Sequence, residues 1–308
     1  NVPTLRFPGF TDKWEKKRVG DIAKLSKGAG ISKDDRSISG VPCILYGELY
    51  TTYNSEIINK VVSKTELPLD NLVQSEGNDV IIPSSGESAI DISTARCITT
   101  SGILLGGDLN IIRLKNDDGR FLSYQLNGVR KLDIAKVAQG VSVVHLYGDA
   151  LKSISVSLPH IDEQKKIADF LSLLDERIAL QSKLIDRLKS LMDGIIDKVT
   201  ALTPNISIRD CLDCYSSTLQ ECETEEQGTY PVYGANGVCG YLDYATISAP
   251  AILIVKDGSG VGNVSYANGD CSVVGTLNYL QPKKDVSAKF LYFVLKRFNF
   301  QPYKTGMA

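Results

Sequence analysis

Histidine, methionine and tryptophan are scarce in this chain: two, two and one residues among 308. With only His145 and His160 available, and neither placed in a triad pattern with a candidate nucleophile, Ser-His or Cys-His catalysis is not expected. The seven cysteines are odd in number and scattered, which argues against a disulfide framework and for a reducing compartment. Cys211-Leu-Asp-Cys214 is the one CxxC, and no second ligand pair lies near it, so no metal site is expected. There is no run of the ~18 to 20 apolar residues that would cross a bilayer, and the N-terminal stretch lacks the apolar core of a signal peptide. A soluble, cytoplasmic protein without membrane contact is the expectation. Excess charge is missing too. The formal net charge is −2, which excludes a polybasic binder held mainly by phosphate neutralisation.

What is present is an ordinary globular composition, 43% hydrophobic and 23% charged, enough for a sizeable core. At the usual ~150 residues per domain the length predicts two domains. One segment differs from everything around it. Leu171, Leu174, Ile178, Gln181, Ile185, Leu188, Met192, Ile195 and Val199 are spaced 3, 4, 3, 4 without a slip, the seam of a heptad repeat. Asp162 and Glu163 suit the positive end of a helix dipole, Lys198 the negative end, and Pro159 and Pro204 bracket the stretch. A helix over 163–199 would be about 55 Å long at ~1.5 Å per residue. Gln181, the one polar seam position, suits a register-fixing role. Such a helix needs a second of similar length, and no second heptad run occurs in this sequence.

The flanks read as short strands with Gly, Asn, Asp and Ser punctuation: Val80–Pro83, Gly102–Leu105, Leu109–Leu114 and Ile154–Leu158 before the helix, then Ala251–Val255, Ser272–Val274 and Leu277–Leu280 after it. They also resemble each other in order. Arg18-Val-Gly-Asp-Ile22, Tyr46-Gly47, Val80 to Gly86, Gly107 to Ile111, Phe121 to Leu126 and Gln139-Gly140 match, in turn, Ile208-Arg-Asp-Cys-Leu212, Tyr233-Gly234, Ile252 to Gly258, Gly275 to Tyr279, Phe290 to Leu295 and Thr305-Gly306. A distant internal duplication accounts for this series. The second copy has no counterpart of 141–199, so it is expected to be truncated at its C-terminal side. The fold class expected is α+β, two pseudo-repeated mixed α/β domains (1–160 and 201–308) separated by a long coiled-coil-forming helix (161–200).

Several stretches resemble the specificity (S) subunits of type I restriction-modification systems. Arg6-Phe-Pro-Gly-Phe-Thr-Asp-Lys-Trp14 is similar to their N-terminal opening. Leu158-Pro-His-Ile-Asp-Glu-Gln-Lys-Lys-Ile-Ala168, with Leu171-Ser-Leu-Leu-Asp175, resembles the start of their central helix. Tyr230-Pro-Val-Tyr-Gly-Ala-Asn-Gly-Val-Cys-Gly-Tyr241, Ile252 to Gly262 and Gly275-Thr-Leu-Asn278 look like one recurrent class of target recognition domain. The resemblance implies a non-catalytic subunit that reads a bipartite site in double-stranded DNA. It implies methylase (M) subunits and, through the complex, restriction (R) subunits as partners, with S-adenosylmethionine, ATP and Mg in those partners and no cofactor in this chain. Such subunits have two long helices that pair antiparallel. This sequence contains one, which is then expected to pair with a second S chain or with a methylase subunit.

A DNA reader needs loops that reach base edges and contacts to phosphate that set position. Candidates in the first domain are Lys27, Lys33 and Arg36 for phosphates, then Tyr46, Tyr50, Tyr53, Ser84, Ser85 and Lys136. Arg96 and Gln139 suit bidentate contacts to guanine and adenine. In the second domain they are Tyr233, Asn236, Tyr241, Lys256, Ser259, Asn263, Tyr303 and Lys304. Asn236, in Ala-Asn-Gly, suits a left-handed turn position equally well. Gly258-Ser-Gly-Val-Gly262 has the wrong spacing for a dinucleotide fingerprint and reads as a strand-to-strand turn. No phosphate-loop or adenine-methylase motif occurs. A coiled-coil assembly adaptor that binds protein instead of DNA is the competing expectation. With neither domain a basic clamp, most backbone grip is expected from the methylase partners.

Overall fold

The computed structural model describes residues 3–140, 142–200 and 206–304. Two compact units divide it, Asn1–Lys183 and Leu184–Ala308. One 40-residue helix, Ile161–Thr200, lies between the two sheet-rich regions in the chain. At its start His160 O accepts the Glu163 and Gln164 amides, at 3.0 and 3.1 Å. Thr305-Gly306, the last match of the repeat, and the bracketing Pro204 lie outside the described residues.

In the first unit the main sheet runs in the order Ala23–Lys27, Leu109–Leu114, Asp79–Pro83, Arg96–Ile98, Ile57–Ile58. Asp79–Pro83 is buried on both faces, so its apolar run is continuous where a half-exposed strand would alternate. Val80 and Ile82 pack with Phe121, Leu122 and Leu126 of the helix Gly119–Asn127. Ile81, on the opposite face, packs with Ile44, Leu49, Ile98 and Ile111 beside a second small sheet. In that sheet Val41–Ile44 runs parallel to Leu104–Leu105. Asp118 caps the helix Gly119–Asn127 by accepting the amides of Arg120 and Phe121.

The second unit repeats this plan. Its sheet order is Leu212–Ser216, Leu277–Pro282, Ala251–Val255, Val264–Ala267, with every neighbour antiparallel. Ile252 faces Ala288 and Leu295 of the helix Ala288–Arg297, while Ala251, Leu253 and Val255 face Val232 and Val273. Those two belong to Tyr230–Gly234 and Ser272–Val273, again a parallel pair. Helical turns precede both edge strands, at Val19–Ile22 and Ile208–Cys211, and 3-10 turns follow them, at Lys33–Asp35 and Glu221–Glu223. Gly258–Gly262 connects the strands Ala251–Val255 and Val264–Ala267, with the Gly262 amide donating to Val255 O at 2.9 Å.

The base of the long helix is locked to the first unit. Glu163 is fully buried, and its carboxylate accepts two bonds from the Arg6 guanidinium, both 2.6 Å. Gln164, also buried, donates to Asp117 Oδ1 and Pro159 O and accepts the Asp118 amide. Arg120 pairs with Asp169 at 2.6 Å, and the Tyr124 hydroxyl donates to Asp175. The Glu-Gln pair therefore has a structural reading: it fixes the helix start against the cap of a neighbouring helix.

Burial sets a ranking among the thiols. It pushes Cys97 up to about 12 and Cys43 and Cys271 up to about 11, whereas Cys222 is exposed. A pKa near 12 leaves roughly one thiol in 10⁴ ionised at pH 8. Native alkylation followed by mass spectrometry should therefore modify Cys222 first and spare Cys43, Cys97 and Cys271 until denaturant is added. Rapid native labelling of Cys97 would contradict the packing described.

Candidate nucleic-acid interface

Each unit carries a groove. The first is about 760 Å³ and is formed where three separate loops meet: Gly30–Lys33 with Arg36, Leu45–Glu48 with Thr51 and Thr52, and Gly106–Asp108. Its floor is a close crossing of backbone. The Gly28 amide donates to Leu109 O, Ala29 to Leu105 O and Gly106 to Ile44 O. A β-carbon on Gly28 would lie 2.1 Å from Gly106 O, so no side chain fits there. The rim is shaped by a capping box in which Asp35 accepts the Ser32 amide at 2.7 Å and its hydroxyl at 2.6 Å. Those bonds hold the Asp35 carboxyl below its ordinary pKa. The turn presents Lys33 and Arg36, both exposed, and Tyr46, 36% exposed, lines the same groove.

Lys33, Arg36 and Tyr46 are thus brought together, and the remaining first-domain candidates divide. Lys27 is exposed at the end of its edge strand, paired with Asn110. Tyr50 is half-buried, and burial raises its phenol. Gln139 is exposed and exchanges backbone bonds of 2.9 and 2.7 Å with His145, which in turn pairs with Ser85. Lys136 is exposed, 3.9 Å from Asp133.

Tyr53, Ser84, Ser85 and Arg96, by contrast, are buried. The Tyr53 hydroxyl accepts the Val62 amide. Ser84 bridges Asp108 and Leu146 through its backbone. Arg96, expected at a guanine edge, is 7% exposed and donates to Leu49 O at 3.0 Å and Tyr53 O at 2.6 Å, with Glu56 at 3.9 Å. One of these carbonyls lies within the helical turn Glu48–Thr51 and the other just past it, where last-turn carbonyls lack intrahelical donors, and this guanidinium supplies them.

In the second unit a groove of about 610 Å³ is lined by Thr218–Glu221, Gly234–Cys239, Asp257 and Val274–Thr276. These segments are the repeat counterparts of the loops around the first groove: the 3-10 turn, the turn after the first strand of the parallel pair, and the turn leading into the last sheet strand. Asn236 is exposed within it, and the left-handed position of its turn falls on Gly237, φ +116°. The turn reading of Asn236 is therefore replaced by Gly237. Tyr233 and Tyr241 are half-buried, and burial raises the Tyr233 phenol. The Lys256 amide donates to Thr276 O behind the groove. Ser259 and Asn263 are exposed in the glycine-rich turn. Tyr303, 70% exposed, stacks on Phe298, and Lys304 follows it.

The grooves differ in charge. Lys33, Arg36, Glu48 and Asp108 line the first, whereas among the described residues the second is lined by Glu221 and Asp257 without a Lys or Arg. Sequence reasoning passed over Glu48, Asp108, Glu221 and Asp257. The only available signal was position, since all four flank the loops that the repeat aligns.

Along the helix, Leu174, Ile178, Ile185, Leu188, Met192, Ile195 and Val199 are each 42–63% exposed, while Leu171 is half-buried and Gln181 exposed. A second exposed row, Leu173, Leu180, Leu184 and Leu191, lies beside this seam and was not anticipated. No helix of the described residues is long and apolar enough to cross a membrane.

The type I restriction-modification DNA specificity domain model matches residues 11–190. The MjaVIII type I restriction enzyme specificity subunit of Methanocaldococcus jannaschii is 28% identical over 199 residues, 63% of this chain and 43% of that protein. A Mycoplasma pneumoniae protein assigned as a type I specificity subunit is 24% identical over 241 residues, 64% of this chain and 63% of its own length. The chain thus matches about half the length of these relatives. The crystal structure of the type I S subunit from M. genitalium superposes with a TM-score of 0.71 at 20% identity, covering 96% of this chain and 79% of that one. With more than half of its residues matched by that family's model, this chain belongs to the type I restriction-modification DNA specificity family.

Proposed function

We propose that this chain is a non-catalytic specificity subunit that reads two separated clusters of base pairs in duplex DNA, one with each groove. The observation that carries this reading is the repetition of the groove. Two domains whose main sheets share the order of four strands place a groove between corresponding loops, yet line it with different side chains. That is what a reader of two unlike half-sites requires, because position is set by scaffold and base choice by side chains. Lys27, Lys33, Lys136 and Lys304 suit phosphate contacts, and Gln139, Asn236, Ser259 and Asn263 suit base edges. Methylation and restriction then belong to partner M and R subunits holding S-adenosylmethionine, ATP and Mg. The exposed helix seam suits pairing with a long helix of a second S chain or of a methylase subunit.

The test is selection from randomised duplex by the full chain assembled with methylase subunits. Two base clusters separated by an unselected gap are expected. One contiguous cluster would overturn the two-groove reading, and no consensus at all would favour the assembly adaptor. Deleting one heptad from the long helix should shift the preferred gap.

A further inference from the structure

One arginine on the rim of the first groove, Arg36, which the sequence suggested for phosphate, is held in place. Arg36 follows the turn Lys33–Asp35, and its side chain is 42% exposed. Its Nε donates to Lys33 O at 3.3 Å, which fixes one edge of the guanidinium. Nη1 faces the Glu48 carboxylate at 3.8 Å. Among the described residues, neither terminal nitrogen donates a hydrogen bond to protein, so the planar pair of donors on the outer edge stays available.

Glu48 is an unusual neighbour for a groove that meets a polyanion. It is 6% exposed, and both carboxylate oxygens are anchored: Oε2 accepts the Leu45 amide at 2.9 Å and Oε1 the Ser63 hydroxyl. A fixed buried acid beside an arginine lowers the net positive charge of the rim, which weakens attraction to phosphate. It also restricts a long side chain to few orientations, which favours a bond that depends on direction. Phosphate neutralisation needs charge and little orientation, whereas a bidentate contact to guanine O6 and N7 needs the planar fork aimed. Lys33, an exposed point charge with no ion pair among the described residues, fits the first role.

Accordingly, we propose that Arg36 reads a guanine in the half-site of the first domain and that Glu48 is its positioning residue. This rests on the reading that the groove faces DNA. The experiment is the same selection from randomised duplex, by the full chain with methylase subunits, comparing wild type with Arg36→Met, Lys33→Met and Glu48→Gln. Arg36→Met should relax the preference for G·C at one position by about tenfold or more and leave other positions as they were. Lys33→Met should weaken all sequences alike and lower the salt slope by about one. Glu48→Gln, with Arg36 intact, should reduce the same G·C preference. Should that variant fail to fold, Glu48→Asp, which withdraws the carboxylate from Nη1 by one methylene, gives the same readout. Uniform weakening by Arg36→Met with G·C still selected would overturn the assignment of Arg36, and an unchanged preference in Glu48→Gln or its substitute would overturn that of Glu48. No consensus in wild type would instead overturn the groove reading beneath both.

Discussion

Replacing Arg96 with methionine is expected to destabilise the first domain by about 2 to 4 kcal/mol, while changing DNA selection only through the loss of folded protein. The substitution removes the donors to Leu49 O and Tyr53 O and the charge beside Glu56, and burial leaves no water to replace them. Each bond to a charged group is worth about 1.5 to 3 kcal/mol, and relief of the buried charge offsets part of the sum. Trp14 is the only tryptophan and packs edge-on against Phe121 at 5.8 Å in the first-domain core. Urea unfolding followed by its fluorescence therefore reports that domain without interference from the other. A midpoint equal to that of wild type, with G·C selection lost, would restore Arg96 to the interface.

The second large effect concerns the helix. Ile178→Asp combined with Ile185→Asp should weaken association through the seam by about a hundredfold or more, since each buried isoleucine contributes roughly 1.5 to 3 kcal/mol. Both side chains are already exposed, at 63% and 51%, so the thermal unfolding of either domain should move little. Sedimentation equilibrium of the chain alone and with methylase subunits would distinguish a partner helix from a second copy from one supplied by the methylase. Unchanged association in both settings would remove the seam from assembly.

The helix was legible because its evidence is local: nine positions at 3-4 spacing need no knowledge of the rest of the chain. The central strands were legible for a related reason, since burial of Val80–Pro83 and Ala251–Val255 shows as an unbroken apolar run. Two-residue strands such as Ile57–Ile58 and Val73–Gln74 were not, because such short ladders exist only through neighbours far away in sequence. The order of the repeat was readable even so, and the shared sheet order explains why those short matches kept their sequence. The groove was legible only in part. Lys33, Arg36 and Tyr46 stood out as surface chemistry, but nothing local says that Gly106–Asp108 returns to meet them. Arg96 misled for the same reason, because an arginine that satisfies buried carbonyls is spelled like one that meets a base. The acid at Glu48 carried no sign of its role, since burial and a partner at residue 63 are facts of tertiary structure.

The crossing of Gly28 over Gly106 has a consequence for how sequence can vary here. Where a β-carbon would come within 2.1 Å of a carbonyl oxygen, the floor tolerates almost no substitution. The rim side chains of Lys33, Arg36 and Tyr46 are exposed and can be exchanged at little cost to folding. A scan of every substitution should therefore give a map of two zones, an intolerant floor beneath a permissive rim. A protein so divided can acquire a new recognition sequence by a few surface changes, and its history would be written at the rim while the floor stayed still.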